Sequence, residues 1–400
     1  MVGINFEDWE QRKLETLVNR VKSYSLSRDV ETIEHSEYRY VHYGDIHTKV
    51  ADVIDESSLL PSIKPGNYEL LCKHDLILAD ASEDYQGIAS PAVVTISLPY
   101  NLVAGLHTIA LRPISVDSMY LYYIFNSRNF RKHGYRVGTG MKVFGISVSN
   151  VLNFVGRFPS IDEQQKVGKF LKKIDDTIAL HQDKLDKLKQ LKKGYLQVIF
   201  SQKGENTPRL RFANFSSAWE QRKAKELFQP IVEKGQPELP LLSVTQDSGV
   251  VYRDQVGIDI KYDSATLKNY KVIHPGNFVI SLRSFQGGFE ISDKHGITSP
   301  AYTIFVPKYL NEQDSLFWKV QFKTFKFIES LKTVTFGIRD GKSISFSEFG
   351  DLKLLHPSNV KEQQIIGNFF EQLDEIITFH QRKISTLQEI KKTYLQKMFV

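Results

Sequence analysis

Two stretches of this chain place apolar residues at alternating steps of three and four. In the first, the positions are Leu171, Ile174, Ile178, His181, Leu185, Leu188, Lys192, Tyr195 and Ile199. In the second they are Phe370, Leu373, Ile377, His380, Ile384, Leu387, Lys391, Tyr394 and Met398. That spacing draws one seam along a helix and is the pattern of a coiled coil. Neither stretch contains proline, and a helix spanning either one would be roughly 57 Å long at 1.5 Å per residue. Pro159 and Pro357 stand just before the two starts, and Asp162 is suited to cap the first. Helices of that length cannot lie along a small domain throughout, so each seam needs the other helix. Because the chain must return between them, an antiparallel pairing is expected, with the globular parts at opposite ends. His181 and His380 interrupt the seams at matching places. With no carboxylate or second histidine at ligand spacing, they read as a polar layer fixing register rather than a metal pair.

Outside these stretches the pattern changes to short apolar runs broken by Gly, Pro, Asn and Asp. Asp75–Ala79, Ala92–Ile96, Asn277–Ile280 and Tyr302–Val306 predict strands. Met119–Phe130 and Asp314–Leu331 predict helices with aromatic faces. The class is α+β: two similar globular parts and an antiparallel coiled coil of two long helices. The expected division is 1–158 for the first globular domain and 159–205 for the first helical spacer with its linker. Residues 206–356 form the second globular domain and 357–400 the second spacer.

The two halves repeat one another. Trp9-Glu10-Gln11-Arg12-Lys13 returns as Trp219-Glu220-Gln221-Arg222-Lys223. Gly87-Ile88-Ala89-Ser90-Pro91-Ala92 returns as Gly296-Ile297-Thr298-Ser299-Pro300-Ala301, and Glu163–Phe200 returns without a gap as Glu362–Phe399. A period near 200 residues is far too long for a solenoid and marks duplication of a whole module. A pseudo-two-fold internal repeat suits a nearly two-fold partner, or two copies of one partner. The frames agree while polar interiors differ, as two readers of different targets require; drift after duplication would also spare the frame.

Composition narrows the classes. A 41% hydrophobic and 24% charged chain of 400 residues is that of a water-soluble globular protein. A net charge of +6 is compatible with a polyanionic partner. Cys72 is the only cysteine, which excludes an internal disulfide and a Cys-rich zinc site and points to a reducing, cytoplasmic setting. No signal-peptide core and no membrane-length apolar run are present.

Catalytic motifs are missing. Gly337-Ile338-Arg339-Asp340-Gly341-Lys342-Ser343 has three residues between its glycines where a phosphate-binding loop has four, and Ile344, Ser345 and Phe346 after it suggest a strand. There is no zinc-binding histidine spacing and nothing that calls for a cofactor. Basic residues do alternate with aromatics. Arg128, Arg131, Lys132, His133 and Arg136 accompany Phe130 and Tyr135; Lys323, Lys326 and Lys332 accompany Phe322, Phe325 and Phe327. Such residues neutralise phosphates, although this pattern alone favours a solvated basic face on an aromatic-cored helix.

Together these features resemble the specificity subunits of type I restriction–modification systems. The resemblance covers essentially the whole chain. It rests on the Trp-Glu-Gln-Arg-Lys entries and on Asp75–Ala79 followed by a polar loop. It also rests on the helix openings, Pro159-Ser160 before Asp162-Glu163-Gln164-Gln165 and Pro357-Ser358 before Lys361-Glu362-Gln363-Gln364. The family implies that each globular part is a target recognition domain reading one half of a bipartite double-stranded DNA site. It implies that the helices form a spacer that sets the gap, that two methyltransferase subunits dock there, and that two restriction–translocase subunits join. It implies no catalysis by this chain and no membrane. Position and polarity then select His47, Thr48, Lys49, Ser82, Glu83, Asp84, Tyr85, Thr139 and Lys142 as DNA contacts in the first domain. In the second they select Gln246, Asp247, Ser248, Arg283, Ser284, Gln286, Arg339 and Lys342. The competing readings are a coiled-coil scaffold that binds proteins but no DNA, and a nuclease with an unrecognised site.

Overall fold

The structure is a computed structural model that describes residues 9–34, 36–84, 87–140, 142–201, 205–245, 249–256, 264–281, 288–334 and 344–399. The chain divides into two compact units, residues 1–182 with 382–400, and residues 183–381.

In the first unit, β1 (Glu10–Lys13) pairs antiparallel with the strand that precedes the long helix, bringing Glu10 opposite Phe158. Next come β2 (Val18–Val21), β3 (Tyr38–Val41), α1 (Tyr43–His47), β4 (Val53–Ile54), β5 (Ser62–Ile63), β6 (Leu76–Ala79) and β7 (Ala81–Ser82). They are followed by β8 (Pro91–Val94), β9 (Asn101–Ala104), β10 (Thr108–Pro113), α2 (Ser118–Asn126), α3 (Arg128–Val137) and β11 (Phe144–Gly145). Then come α4 (Val148–Leu152), β12 (Val155–Phe158) and α5 (Ile161–Ile199). Among the described residues the main sheet runs β2-β10-β6-β8-β4, with β5-β3-β9 as a smaller one. Strands β6 and β8 are buried at every position, so they read as apolar runs rather than alternating ones.

The second unit rebuilds the frame with β13 (Glu220–Lys223), α6 (Ala224–Leu227), β14 (Phe228–Pro230), β15 (Leu242–Thr245), β16 (Gly249–Tyr252), β17 (Lys271–Ile273) and β18 (Phe278–Ile280). It continues with β19 (Phe289–Ile291), β20 (Gly296–Thr298), β21 (Thr303–Pro307), α7 (Ser315–Gln321), α8 (Phe325–Leu331), α9 (Phe346–Gly350), β22 (Lys353–His356) and α10 (Val360–Met398). Among the described residues its sheet is β14-β21-β18-β19, and β13 pairs with β22 as β1 pairs with β12. Phe228, Phe278, Phe289, Phe305, Trp318 and Phe322 are fully buried together beneath it.

The long helices are antiparallel in each unit. In the first, Phe170 packs edge-on against Tyr394 at 5.0 Å, and Asp175 pairs with Lys391. In the second, Tyr195 packs against Phe369 at 5.1 Å, and Lys192 is hydrogen-bonded to Asp374. Seam positions Leu171, Ile174, Leu185, Ile199, Phe370, Leu373, Ile377, His380, Ile384 and Met398 are buried; Ile178, His181, Leu188, Tyr195, Leu387 and Tyr394 are half-buried. Each helix ends in the core built by the other repeat. Phe399 lies 5.2 Å from Tyr120, and Phe200 lies 5.7 Å from Phe317. Burying a side chain of that size stabilises by about 2–3 kcal/mol.

A glutamine joins head to helix in both repeats. Gln164 is buried; its Oε1 accepts from Asp117 N at 2.9 Å and its Nε2 donates to Pro159 O at 2.8 Å. Gln363 does the same with Asp314 N at 2.9 Å and Pro357 O at 2.8 Å. One turn on, Gly168 and Gly367 let the capped starts of α2 and α7 approach the helix. A Cβ at Gly367 would lie 2.7 Å from both Asp314 Oδ1 and Phe317 N, and one at Gly168 would lie 3.0 Å from Met119 Cβ. In the second repeat Glu362, also buried, holds Arg211 through two bonds of 2.6 and 2.7 Å and accepts from Trp219 Nε1 at 3.3 Å.

Four expectations need correction. The helices predicted over Met119–Phe130 and Asp314–Leu331 are each two helices, because Ser127 and Thr324 cap Phe130 N and Phe327 N at 3.3 Å and start a new one. The cap of α5 is Ser160, whose Oγ accepts from Glu163 N at 3.4 Å, while Asp162 lies in the first turn. Residues Ile344–Phe346 do not make a strand, since Ser345 and Glu348 form a capping box that starts α9. Finally, the match of Gly87–Ala92 to Gly296–Ala301 is not structural. The first leads into β8, whereas the second contains β20 and turns into β21, which pairs with β18 as β10 pairs with β6.

Candidate nucleic-acid interface

The polar end of the first unit is organised by α1. His42 Nδ1 accepts from Gly44 N at 3.1 Å, and Asp45 Oδ2 accepts from His42 N at 2.8 Å. Arg28 Nη2 donates to the buried Asp45 at 2.7 Å. Burial, aided by the nearby Arg28 charge, holds the His42 imidazole below its ordinary pKa, so the cap stays neutral. This anchored turn aims His47, whose Nε2 donates to Ala81 O at 2.8 Å.

Ala81 and Ser82 pair with Phe144 and Gly145, and Thr139 exchanges two backbone bonds with Gly145 at 3.0 and 2.7 Å. The structure therefore brings three of the selected residues, His47, Ser82 and Thr139, to one short ladder. The turn closing that ladder needs glycine at Gly140, which has φ +128°. Glu83 and Asp84 are exposed beside it; Asp84 Oδ1 accepts from Gly87 N at 2.7 Å, and Lys142 is exposed beyond the turn. Ser82 itself is buried and accepts from Asp84 N at 3.3 Å, which gives it a loop-shaping role. Thr48 turns back onto Gly44 O at 2.8 Å. Lys49 points elsewhere: its ammonium lies 3.3 Å from Asp52, on a groove shared with Tyr122, Asp175 and Lys391.

Sequence reasoning missed three neighbours of this ladder. His107 Nδ1 lies 3.0 Å from Asp80 Oδ1, and the Tyr43 ring stands 5.3 Å from His107 and 5.9 Å from His47. Their only sequence signal is polarity at a strand end, Asp80 after β6 and His107 before β10.

The basic clusters differ between the units. In the first, Lys132, His133 and Arg136 of α3 line a basin of about 390 Å³ with Asn129, Asn153, Phe154 and Val155. Arg131 turns inward and donates to Ile88 O. In the second, Lys323 pairs with buried Glu290, Lys332 pairs with Glu329 at 2.6 Å, and Lys326 donates to Ser201 O at 3.0 Å. The phosphate-neutralising reading thus applies to α3 more than to the lysines on and beside α8.

Tyr85, Gln246, Asp247, Ser248, Arg283, Ser284, Gln286, Arg339 and Lys342 lie outside the described residues. Among the described residues no group of three or more His, Cys, Asp or Glu side chains is placed to hold a metal ion. No helix among them is long and apolar enough to cross a membrane.

A duplicated α+β head, each copy packed on long antiparallel helices, defines a class of two-module proteins. Residues 6–190 and 216–389 both match the family described as Type I restriction modification DNA specificity domain, and the chain belongs to that family. It is 20% identical over 96% of its length to 91% of a chain described as the type I restriction enzyme MjaX specificity subunit of Methanocaldococcus jannaschii. Its fold is similar to that of the type I restriction–modification S subunit from M. genitalium. That likeness has a TM-score of 0.62 at 15% identity and covers all of this chain and 98% of the other. The HsdS subunit from Thermoanaerobacter tengcongensis matches at TM-score 0.44 and 14% identity, over 97% of this chain and 96% of that one.

Proposed function

We propose that each unit reads one half of a bipartite double-stranded DNA target and that the paired helices fix the gap between the halves. The observation that carries this reading is a constant frame bearing unlike edges. Gln164 and Gln363 join head to helix identically, yet where the register of β10 on β6 puts His107 in the first unit, that of β21 on β18 puts Ala301 in the second. A scaffold without DNA has no need for one frame with two different edges.

The helices also support docking of two copies of one partner, the methyltransferase subunit, with restriction–translocase subunits joining for cleavage. Leu180 and Ile390 of the first unit are 52% and 38% exposed, and their repeat equivalents Phe379 and Leu191 of the second are 58% and 45% exposed. Exposed apolar residues repeated at equivalent places suit two like partners. In this reading the chain itself is non-catalytic, works without a cofactor and acts in the cytoplasm. The test is a methylation-site map of cells with and without the gene, then with one extra helical turn inserted in both helical segments. A bipartite motif that vanishes with the gene and changes only its gap with the insertion supports the proposal; an unchanged gap refutes the spacer role.

A further inference from the structure

We propose that His107, positioned by Asp80, is a base-reading side chain of the first unit and takes an exocyclic amine, that of adenine or cytosine. This rests on the proposal that the unit reads DNA. A carboxylate oxygen only accepts, so the 3.0 Å contact to Asp80 Oδ1 requires a proton on Nδ1. In the singly protonated ring Nε2 is then the acceptor. The ring is half exposed, at 50%, on the turn between β9 and β10. Its backbone is left-handed, φ +56°, and its carbonyl accepts from Asp80 N at 3.0 Å, so side chain and main chain are held by the same partner. Ile146 N donates to Asp80 O at 2.9 Å, tying this pair to the ladder that carries Ser82 and Thr139.

The second imidazole at this edge is fixed in the same sense. His47 donates Nε2–H to Ala81 O, which leaves Nδ1 as its acceptor. Tyr43 stands between the two rings. An edge that offers lone pairs is a poor match for phosphate oxygens, which also only accept. In the major groove the donors are the N6 amine of adenine and the N4 amine of cytosine, whereas guanine offers N7 and O6 and thymine offers O4, all acceptors. Ala301 stands at the equivalent register of β21 in the second unit, so the two halves read differently.

The experiment uses the full chain reconstituted with its methyltransferase subunits and a duplex library randomised over the wild-type motif. His107→Gly removes the ring while accepting the left-handed backbone. It should relax one position of one half-site, where the wild type demands adenine or cytosine, by roughly tenfold or more in discrimination. Asp80→Leu should relax the same position, and Asp80→Asn, which keeps an acceptor, should restore it. Uniform weakening at every sequence, or a relaxed position that had required guanine or thymine, would overturn the assignment. A wild-type complex with no sequence preference at all would instead sink the DNA-reading proposal beneath it.

Discussion

The carboxylate of Asp175 lies 2.6 Å from the ammonium of Lys391. The repeat reverses the roles: Lys192, equivalent to Lys391, pairs with Asp374, equivalent to Asp175. One interaction is thus made twice, once in each unit, by the first helix giving the acid and then the base. Asp175 also accepts from Tyr123 Oη at 2.8 Å, so the first copy ties the head to the helices as well. These pairs are about one-third exposed, and pairs of that kind contribute about 0.5–1 kcal/mol. Charge reversal at Asp175→Lys should cost more than that, and adding Lys391→Asp should recover part of it. A double-mutant cycle in urea checks this; zero coupling would make the pair a bystander.

Exchange of helix ends predicts a larger effect. Phe399 completes a core that contains Trp9 and Tyr120, and Phe200 completes one that contains Trp219 and Phe317. Phe399→Ala and Phe200→Ala should each destabilise by about 3 kcal/mol. Denaturant unfolding of the full chain tests this, and a loss below about 1 kcal/mol would mean that the sockets do not need their plugs.

The glycines at the head–helix joint should be unequal. A methyl at Gly367 meets backbone at 2.7 Å, whereas one at Gly168 meets a side-chain carbon at 3.0 Å and backbone at 3.1 Å. Gly367→Ala should cost roughly 1–3 kcal/mol through overpacking and Gly168→Ala less. The reverse order in thermal melts would contradict the joint as described.

His356 carries a pH prediction. Burial lowers its pKa, and its ring packs on Trp318 at 5.4 Å. The unfolded state therefore binds the proton more readily than the folded one. Stability is complete above the ordinary histidine pKa near 6.5 and is lost as pH falls from there through the depressed folded value. Phe158 occupies the same strand position in the first repeat, opposite Glu10 as His356 is opposite Glu220. His356→Phe should flatten the fall in melting temperature between pH 8 and pH 5.5; an unchanged slope would assign it to other groups, His42 among them.

What was legible in the sequence follows from range. The seams of α5 and α10 could be read because each turn of a helix repeats its environment, and thirty-odd residues say the same thing. The entries Trp9 and Trp219 were legible as a repeat, but their partner strands just before α5 and α10 were not, since pairing across some 140 residues leaves no local mark. Gln164 and Gln363 stood in the helix openings as a motif. Their buried bonds to Asp117 and Asp314 became visible only in three dimensions. The six-residue match at Ser-Pro-Ala misled because identical short turns can serve different strands. His107 and Asp80 were passed over for the same reason that they now matter, a contact across 27 positions.

The central claim is that the two heads read their half-sites independently. A chain in which residues 206–356 are replaced by the corresponding head of the first repeat, co-expressed with its methyltransferase partner, tests it directly by methylation-site mapping. The expected result is a new motif in which the first unit's half-site appears twice, once on each strand, with the gap retained. A soluble, assembled chimera that still methylates the original two-part motif would contradict it.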